Sequence, residues 1–264
     1  MTMRTALCHD TNGRLLGAFA SLLVGCVTPP PTLADYGFDS EDTEIVADTE
    51  EPVDTEPVTP GDGPTVLVLD DGGSAAQVVA ALRADGMTVV EGPGYDDWDG
   101  ASPALDDVDV VVFLQGVTYN PRLSTAADTA LRDFLIAGGG MVRTEWAAAS
   151  ASLQGAMRID ESLPVVYDDD FSAEAEDWWV DDRDHELTQD VPAKWTEAGA
   201  FSEVDAVAAA TVIISTRNGN PLLTVREDLP GRVVHLNHDM TGTTRQLTDE
   251  MKTLLAACAR WADR

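Results

Sequence analysis

Two hydrophobic periods alternate along the chain from residue 65 onward. Residues 65–69 read Thr-Val-Leu-Val-Leu and stop at Asp70-Asp71-Gly72-Gly73. A short apolar run closed by turn formers predicts a strand. Ser74 stands at an N-cap position ahead of 75–84, where apolar residues recur at helical spacing, and Gly86 ends that helix. Residues 87–90 and 109–114 predict two more strands. The second, Asp-Val-Val-Val-Phe-Leu, is apolar almost throughout, as strands covered on both faces are. Ser124 opens a helix through Ala137, and Gly138-Gly139-Gly140 terminates it by permitting a C-cap and a tight strand entry. Residues 141–144 predict a fourth strand, followed by the alanine-rich segment 147–157.

Such β-α-β alternation predicts an α/β fold of flavodoxin-like, three-layer type: a mostly parallel sheet with helices on both faces. Three further strands are expected at 211–215, 222–226 and 232–236. The first two flank Asn218-Gly219-Asn220, which has hairpin chemistry, so an antiparallel extension is expected near the C-terminus. Residues 247–262 close the chain as an amphipathic helix, with Leu254, Leu255, Cys258 and Trp261 on its apolar face.

The first 63 residues have a different character. Arg4 and Arg14 precede an apolar run over 15–25, shorter than a bilayer-spanning helix, which is the pattern of a secretory signal. Leu23-Val24-Gly25-Cys26 resembles a bacterial lipobox. In that class of precursors the signal is cut before the cysteine, and lipid is attached to its sulfur. The resemblance implies a signal over 1–25, lipidation at Cys26 and a place in the bacterial cell envelope. Val27 after the cysteine is compatible with the outer membrane. Residues 27–63 contain eleven acidic and no basic side chains, with Pro and Thr abundant. Such a segment buries too little apolar surface to offset its ordering entropy, so 26–63 is expected to be an extended, disordered tether.

The remaining segment, 64–264, has the size of one domain. It carries 35 acidic against 14 basic side chains, a net charge near −21. Nucleic acid is an unsuitable partner, because phosphate binding relies on Lys and Arg. A basic protein, a divalent cation or a neutral sugar remains open. Removal of Cys8 with the signal and lipidation of Cys26 leave Cys258 alone, so no internal disulfide is expected.

Several phrases now line up in order: Val66-Leu67-Val68, Asp109-Val110-Val111-Val112, Leu131 through Gly140, Asp184-His185, and Gly231-Arg232-Val233-Val234 leading to Asn237-His238. Together they resemble the ThuA-like (trehalose-utilisation) family of the class I glutamine amidotransferase-like superfamily, over nearly the whole domain. In that fold the turn after strand four presents a nucleophilic cysteine. Here the turn offers Glu145-Trp146, where ThuA-like proteins tend to carry a histidine. Cysteine-based amide hydrolysis is therefore not expected, since it needs a thiolate beside a base.

Glu145 and His238 are the candidate acid/base or partial metal pair, with an ion pair between strand ends as the plainer reading. Asp70 and Asp71 are candidate ligand groups that also suit a turn. Trp178 and Trp179 offer indole faces to a sugar or a cation, or fill a core. His185 matches the Asp-His that the ThuA-like resemblance places before a substrate-side loop. With Asp168-Asp169-Asp170 and Asp181-Asp182, it stands among acids of the type that hold calcium. No phosphate loop or dedicated cofactor motif is present, so no cofactor is expected, a divalent cation excepted. His235 is expected to be a sheet histidine, and Cys258 a core residue.

Three functions remain open on these residues. One is a non-catalytic, lipid-anchored module that binds a carbohydrate or another envelope component. The second is a sugar-related enzyme using Glu145 and His238. The third is a scaffold in an envelope complex. The missing nucleophile favours the first and third. Replacing Cys26 by Ser is expected to move the protein from the membrane to the soluble fraction on cell fractionation. Retention on membranes would contradict the anchor.

Overall fold

The computed structural model describes residues 62–71, 75–116, 122–240 and 246–264. The expected signal, Cys26 and most of the tether lie outside the described residues, as do Gly72, Gly73 and the expected cap Ser74. The first half of the domain runs β1 (Thr65–Asp70), α1 (Ala76–Ala84), β2 (Thr88–Gly94), β3 (Val110–Phe113), α2 (Thr125–Ile136), β4 (Gly140–Thr144) and α3 (Trp146–Gln154). A 3-10 turn, Ile159–Ser162, follows. Then come β5 (Val165–Ser172), β6 (Ala175–Val180), β7 (Lys194–Ala198), β8 (Phe201–Ala206), β9 (Thr211–Thr216), β10 (Pro221–Arg226), β11 (Val233–Leu236) and α4 (Asp249–Ala262). A second 3-10 turn, Glu186–Thr188, lies between β6 and β7.

Strand alternation divides the core. Val66 and Val68 of β1 face one side with Val110, Val112 and the apolar residues of α1 and α4. Leu67 and Leu69 face the other with Val111, Phe113 and Leu131 and Leu135 of α2. This sorting follows directly from the two-residue period of a strand. It explains why β1, β3 and β4 read as nearly continuous apolar runs. Ser124 caps α2 by accepting a hydrogen bond from Ala127 N at 3.1 Å, and Thr248 caps α4 by accepting from Met251 N at 3.2 Å. Cys258 is fully buried on α4, and burial pushes its thiol pKa up.

The nine-stranded sheet has the order β2-β1-β3-β4-β11-β10-β9-β6-β7. Its first five strands are parallel neighbours. Every pairing from β11 onward is antiparallel. The expectation of a mostly parallel sheet is corrected accordingly: the antiparallel part is as extensive as the parallel one. The hairpin at Asn218-Gly219 forms as expected, with Gly219 at φ +89° in the left-handed region. What enlarges the antiparallel part is β6 and β7, added beyond β9. β5 and β8 form a separate antiparallel ribbon.

Gly140 shows how tightly the layers meet. A methyl group there would overlap the carbonyl oxygen of Ala262, at the end of α4. Gly140→Ala is expected to destabilise the domain by about 1–3 kcal/mol, because the obstruction is backbone rather than a flexible side chain. Urea unfolding of the variant measures this, and an unchanged midpoint would contradict the close approach.

Candidate functional site

Parallel strands β1, β3, β4 and β11 end on one edge of the sheet, and the residues that follow them converge there. Asp71 follows β1, Gln115 and Gly116 follow β3, Glu145 follows β4, and Asn237 and His238 follow β11. The carboxyl edge of an open α/β sheet is the usual place for ligands. Asp71 Oδ2 accepts from Gly116 N at 2.9 Å, and Thr144 Oγ1 accepts from Gln115 N at 2.7 Å. These two bonds fix the strand ends relative to one another.

Glu145 occupies the strand-to-helix turn with φ −39° and ψ −58°, an unstrained helical conformation at the start of α3. Its side chain has no exposed surface. Ser202 Oγ on β8 lies 3.1 Å from Glu145 Oε1. Burial is the main cause that raises the Glu145 pKa well above the ordinary carboxylate range. The negative charge of Asp239 adds to it, and that of Asp71 adds further, while the hydroxyl of Ser202 opposes the rise. A helix N-terminus favours an anion by less than about 2 kcal/mol, too little to reverse full desolvation. Burial and the neighbouring charges thus both favour the protonated form of Glu145.

Ser202 is held in place by asparagine amides. Asn237 Oδ1 accepts from Ser202 N at 2.9 Å, and Asn237 Nδ2 donates to Ser202 O at 2.8 Å and to Pro221 O at 3.0 Å. Asn220 Nδ2 donates to the same Ser202 O at 3.0 Å, and its Oδ1 accepts from Val204 N at 3.1 Å. Through these bonds the β5–β8 ribbon is docked over the end of β4.

His238 is turned elsewhere. Its Nε2 lies 3.3 Å from Ala198 O and 3.9 Å from Glu197 Oε1, and its Nδ1 lies 3.6 Å from Asp239 Oδ1. The ring packs beside Phe201 and Trp178, with centroids 5.6 and 6.2 Å away. Glu197 is itself buried, with its carboxyl pKa raised by desolvation, and accepts from the Thr248 hydroxyl. Glu145 and His238 therefore share one edge but engage different partners, Ser202 and the end of β7.

The other sequence candidates separate. Trp178 is fully buried against Trp195 and Phe201. Its indole presents no face to solvent, which corrects its reading as a stacking platform. Its neighbour Trp179 points outward, 38% exposed, with Lys194 Nζ 4.5 Å from the ring centroid. His185 lies at the opposite edge of the sheet. Its Nδ1 accepts from Leu187 N at 3.3 Å, and its ring sits 5.9 Å from that of Trp261 at the end of α4. The expectation of a substrate-side place for this histidine is corrected, since it lies away from the strand ends that carry Glu145 and His238. Asp182 Oδ1 accepts from the backbone N–H groups of Asp184 and His185, as a turn residue does. Asp70 is partly exposed at the end of β1. Among the described residues no group of three His, Cys, Asp or Glu side chains is placed to hold a metal ion, and no helix is long and apolar enough to cross a membrane.

The structure adds residues to which the sequence pattern gave no role in the site. Ser202, Asn237 and Asp239 surround the Glu145–His238 edge. Trp146, directly after Glu145, forms a partly exposed aromatic pair with Phe171 of β5, ring centroids 5.5 Å apart. The adjacency of Trp146 to the strand-four turn was the available signal for it. The others required the docking of β8.

No protein-family model and no curated protein matches the sequence. Solved structures do match in fold. A cytoplasmic protein from Salmonella typhimurium superposes with a TM-score of 0.58 at 15% identity, covering 76% of this chain and 96% of its own. A Bacteroides uniformis protein described as ThuA-like gives 0.53 at 16% identity, covering 78% and 95%. A Thermoplasma acidophilum protein described as a GMP synthase subunit gives 0.54 at 14% identity, covering 75% and 96%. The domain thus has the fold shared by ThuA-like and glutamine amidotransferase-related proteins.

Glu145→Gln is expected to stabilise the domain near neutral pH, because the amide stays neutral and keeps a bond to Ser202. A raised folded-state pKa means that the folded state binds more protons than the unfolded state between the two pKa values. Parent stability therefore falls as pH rises from about 4.5 toward the folded pKa. The advantage of the variant should grow over that window and vanish below it. Parallel melting curves over pH measure the difference, and a constant difference would contradict a neutral Glu145.

Proposed function

We propose that this chain is a lipid-anchored envelope protein whose amidotransferase-like domain binds a carbohydrate or another envelope ligand without covalent catalysis. One observation carries the reading. The turn that supplies a nucleophile in the amidotransferase-like fold holds Glu145, a sealed acid whose pKa is raised, bonded to a serine that is itself buried. Neither group is accessible for attack, and a neutral carboxyl is a poor nucleophile or base. Cys258, the thiol of the domain, lies within the core on α4.

What faces solvent beside this sealed turn is the Trp146–Phe171 pair. A partly exposed aromatic pair next to polar strand ends suits the apolar face of a sugar ring, with hydroxyls taken by the surrounding carboxylates and amides. The anchor rests on the Leu23–Cys26 segment, and the acidic tether on residues 26–63. Together they support a module displayed away from the membrane, with the outer membrane as its place. Such a role needs no cofactor.

Thermal denaturation of the full chain against a panel of envelope sugars tests the reading. A binding sugar is expected to raise Tm by mass action. Trp146→Ala should weaken that sugar roughly tenfold or more, the scale of losing one stacked aromatic contact. Glu145→Gln should leave the shift intact. Turnover of the sugar that depends on Glu145 would overturn the non-catalytic reading.

A further inference from the structure

The β5–β8 ribbon is joined to the domain differently from the strands of the main sheet. It is a two-stranded sheet of its own and shares no ladder with the nine-stranded one. Its apolar contact is small: Val165 and Val204 meet Ala148 of α3, apart from the two main core clusters. Phe201 at the root of β8 is the exception, seated in the main core beside Trp178 and His238.

What holds β8 beyond that root is polar. The Ser202 amide donates to Asn237 Oδ1 and the Val204 amide to Asn220 Oδ1, while Ser202 Oγ reaches Glu145. A segment held by few apolar contacts opens at lower cost than the domain as a whole.

Glu145 is the ionisable member of this contact. A carboxylate can accept about four hydrogen bonds. Here Oε1 has the Ser202 hydroxyl at 3.1 Å, and Oε2 has no hydrogen-bond partner among the described residues. An anion left this short of donors in a closed space costs far more than a neutral carboxyl.

The surrounding charges act in the same sense. After burial, Asp239 beyond β11 and Asp71 beyond β1 both raise the Glu145 pKa. On the ribbon, burial raises the Glu203 pKa, with Asp170, Glu176 and Asp168 adding to it. The basic groups near this edge face other carboxylates. Arg143 pairs with Asp160 at 3.1 Å, and His238, when protonated, faces Asp239 and Glu197.

We propose that Glu145 is a pH-sensitive latch: ionisation of its carboxyl releases β8 from Asn237 and Asn220 and uncovers the strand-four turn. Phe201 stays seated as the hinge, and the main sheet stays intact. Once β8 is released, Glu145, Asp71 and Asp239 face solvent together. The turn opens at the same step at which its acid becomes charged. The latch acts on the cover alone, whatever ligand the edge takes.

The direction with pH follows from the two states of the carboxyl. Released, Glu145 returns to its ordinary pKa of 4.5, below that of the docked state. Docking is therefore strongest below that value. It weakens as pH rises toward the docked pKa, by up to about tenfold per pH unit for one proton.

Hydrogen exchange of the full chain, corrected for the pH dependence of amide chemistry itself, provides the test. The Ser202 and Val204 amides should lose protection as pH rises above 4.5, by up to about tenfold per unit, while the amides of β1 and β3 keep theirs. Glu145→Gln should hold Ser202 and Val204 protected across the whole range. Protection of these two amides that stays constant with pH in the parent would overturn the proposal. So would a loss shared equally by β1 and β3, or the same loss in Glu145→Gln.

Discussion

The clamp formed by Asn237 and Asn220 on the backbone of Ser202 sets the character of this domain. Two side-chain amides do the work of a strand ladder. They match the N–H and C=O of Ser202, and they pin β8 across the end of β4. Buried backbone groups need such matching, since each one left without a partner costs about 1–3 kcal/mol. Once β8 is pinned, the carboxyl edge is no longer an open crevice. Glu145 comes under cover, Ser202 Oγ meets its carboxyl, and burial raises its pKa.

The rest of the site follows from that cover. Desolvation and the negative charges of Asp239 and Asp71 act on Glu145 in the same direction, so its raised pKa does not rest on any one neighbour. His238 is drawn toward β7, where Glu197 and Ala198 face it, and is walled by Trp178 and Phe201. The two residues that most suggested acid/base chemistry are thus placed in separate environments. Beside the covered turn, the Trp146–Phe171 pair is partly exposed to solvent.

Much of the parallel half was legible in the sequence. Runs such as Val110–Phe113 are apolar because both faces of the sheet are covered, and Ser124 marks the start of α2 by cap chemistry. The hairpin around Gly219 was legible for the same local reason. The region 165–206 was not. β5 carries Asp168-Asp169-Asp170, residues with poor strand propensity, and its pairing with β8 comes from tertiary contact rather than local preference. Trp178-Trp179 illustrates the cost of missing a strand. Once 175–180 is known to be β6, the two-residue period puts one indole inside and the other outside. The position of Glu145 was visible from its place after β4, whereas its burial was not, because Ser202 and Asn237 are remote in sequence from it and from each other. His185 had the right neighbours in sequence but the wrong edge in space, since the 3-10 turn after it packs on α4.

The protonation state of Glu145 tests whether a carboxylate base or nucleophile stands at this edge. Infrared difference spectra between the parent and Glu145→Gln at neutral pH isolate the single carboxyl group. A sealed, neutral Glu145 predicts a protonated carboxylic C=O band in the parent that the variant lacks. A carboxylate band in its place would mean that Glu145 is charged at the strand-four turn, and the non-catalytic reading of this edge would then be wrong.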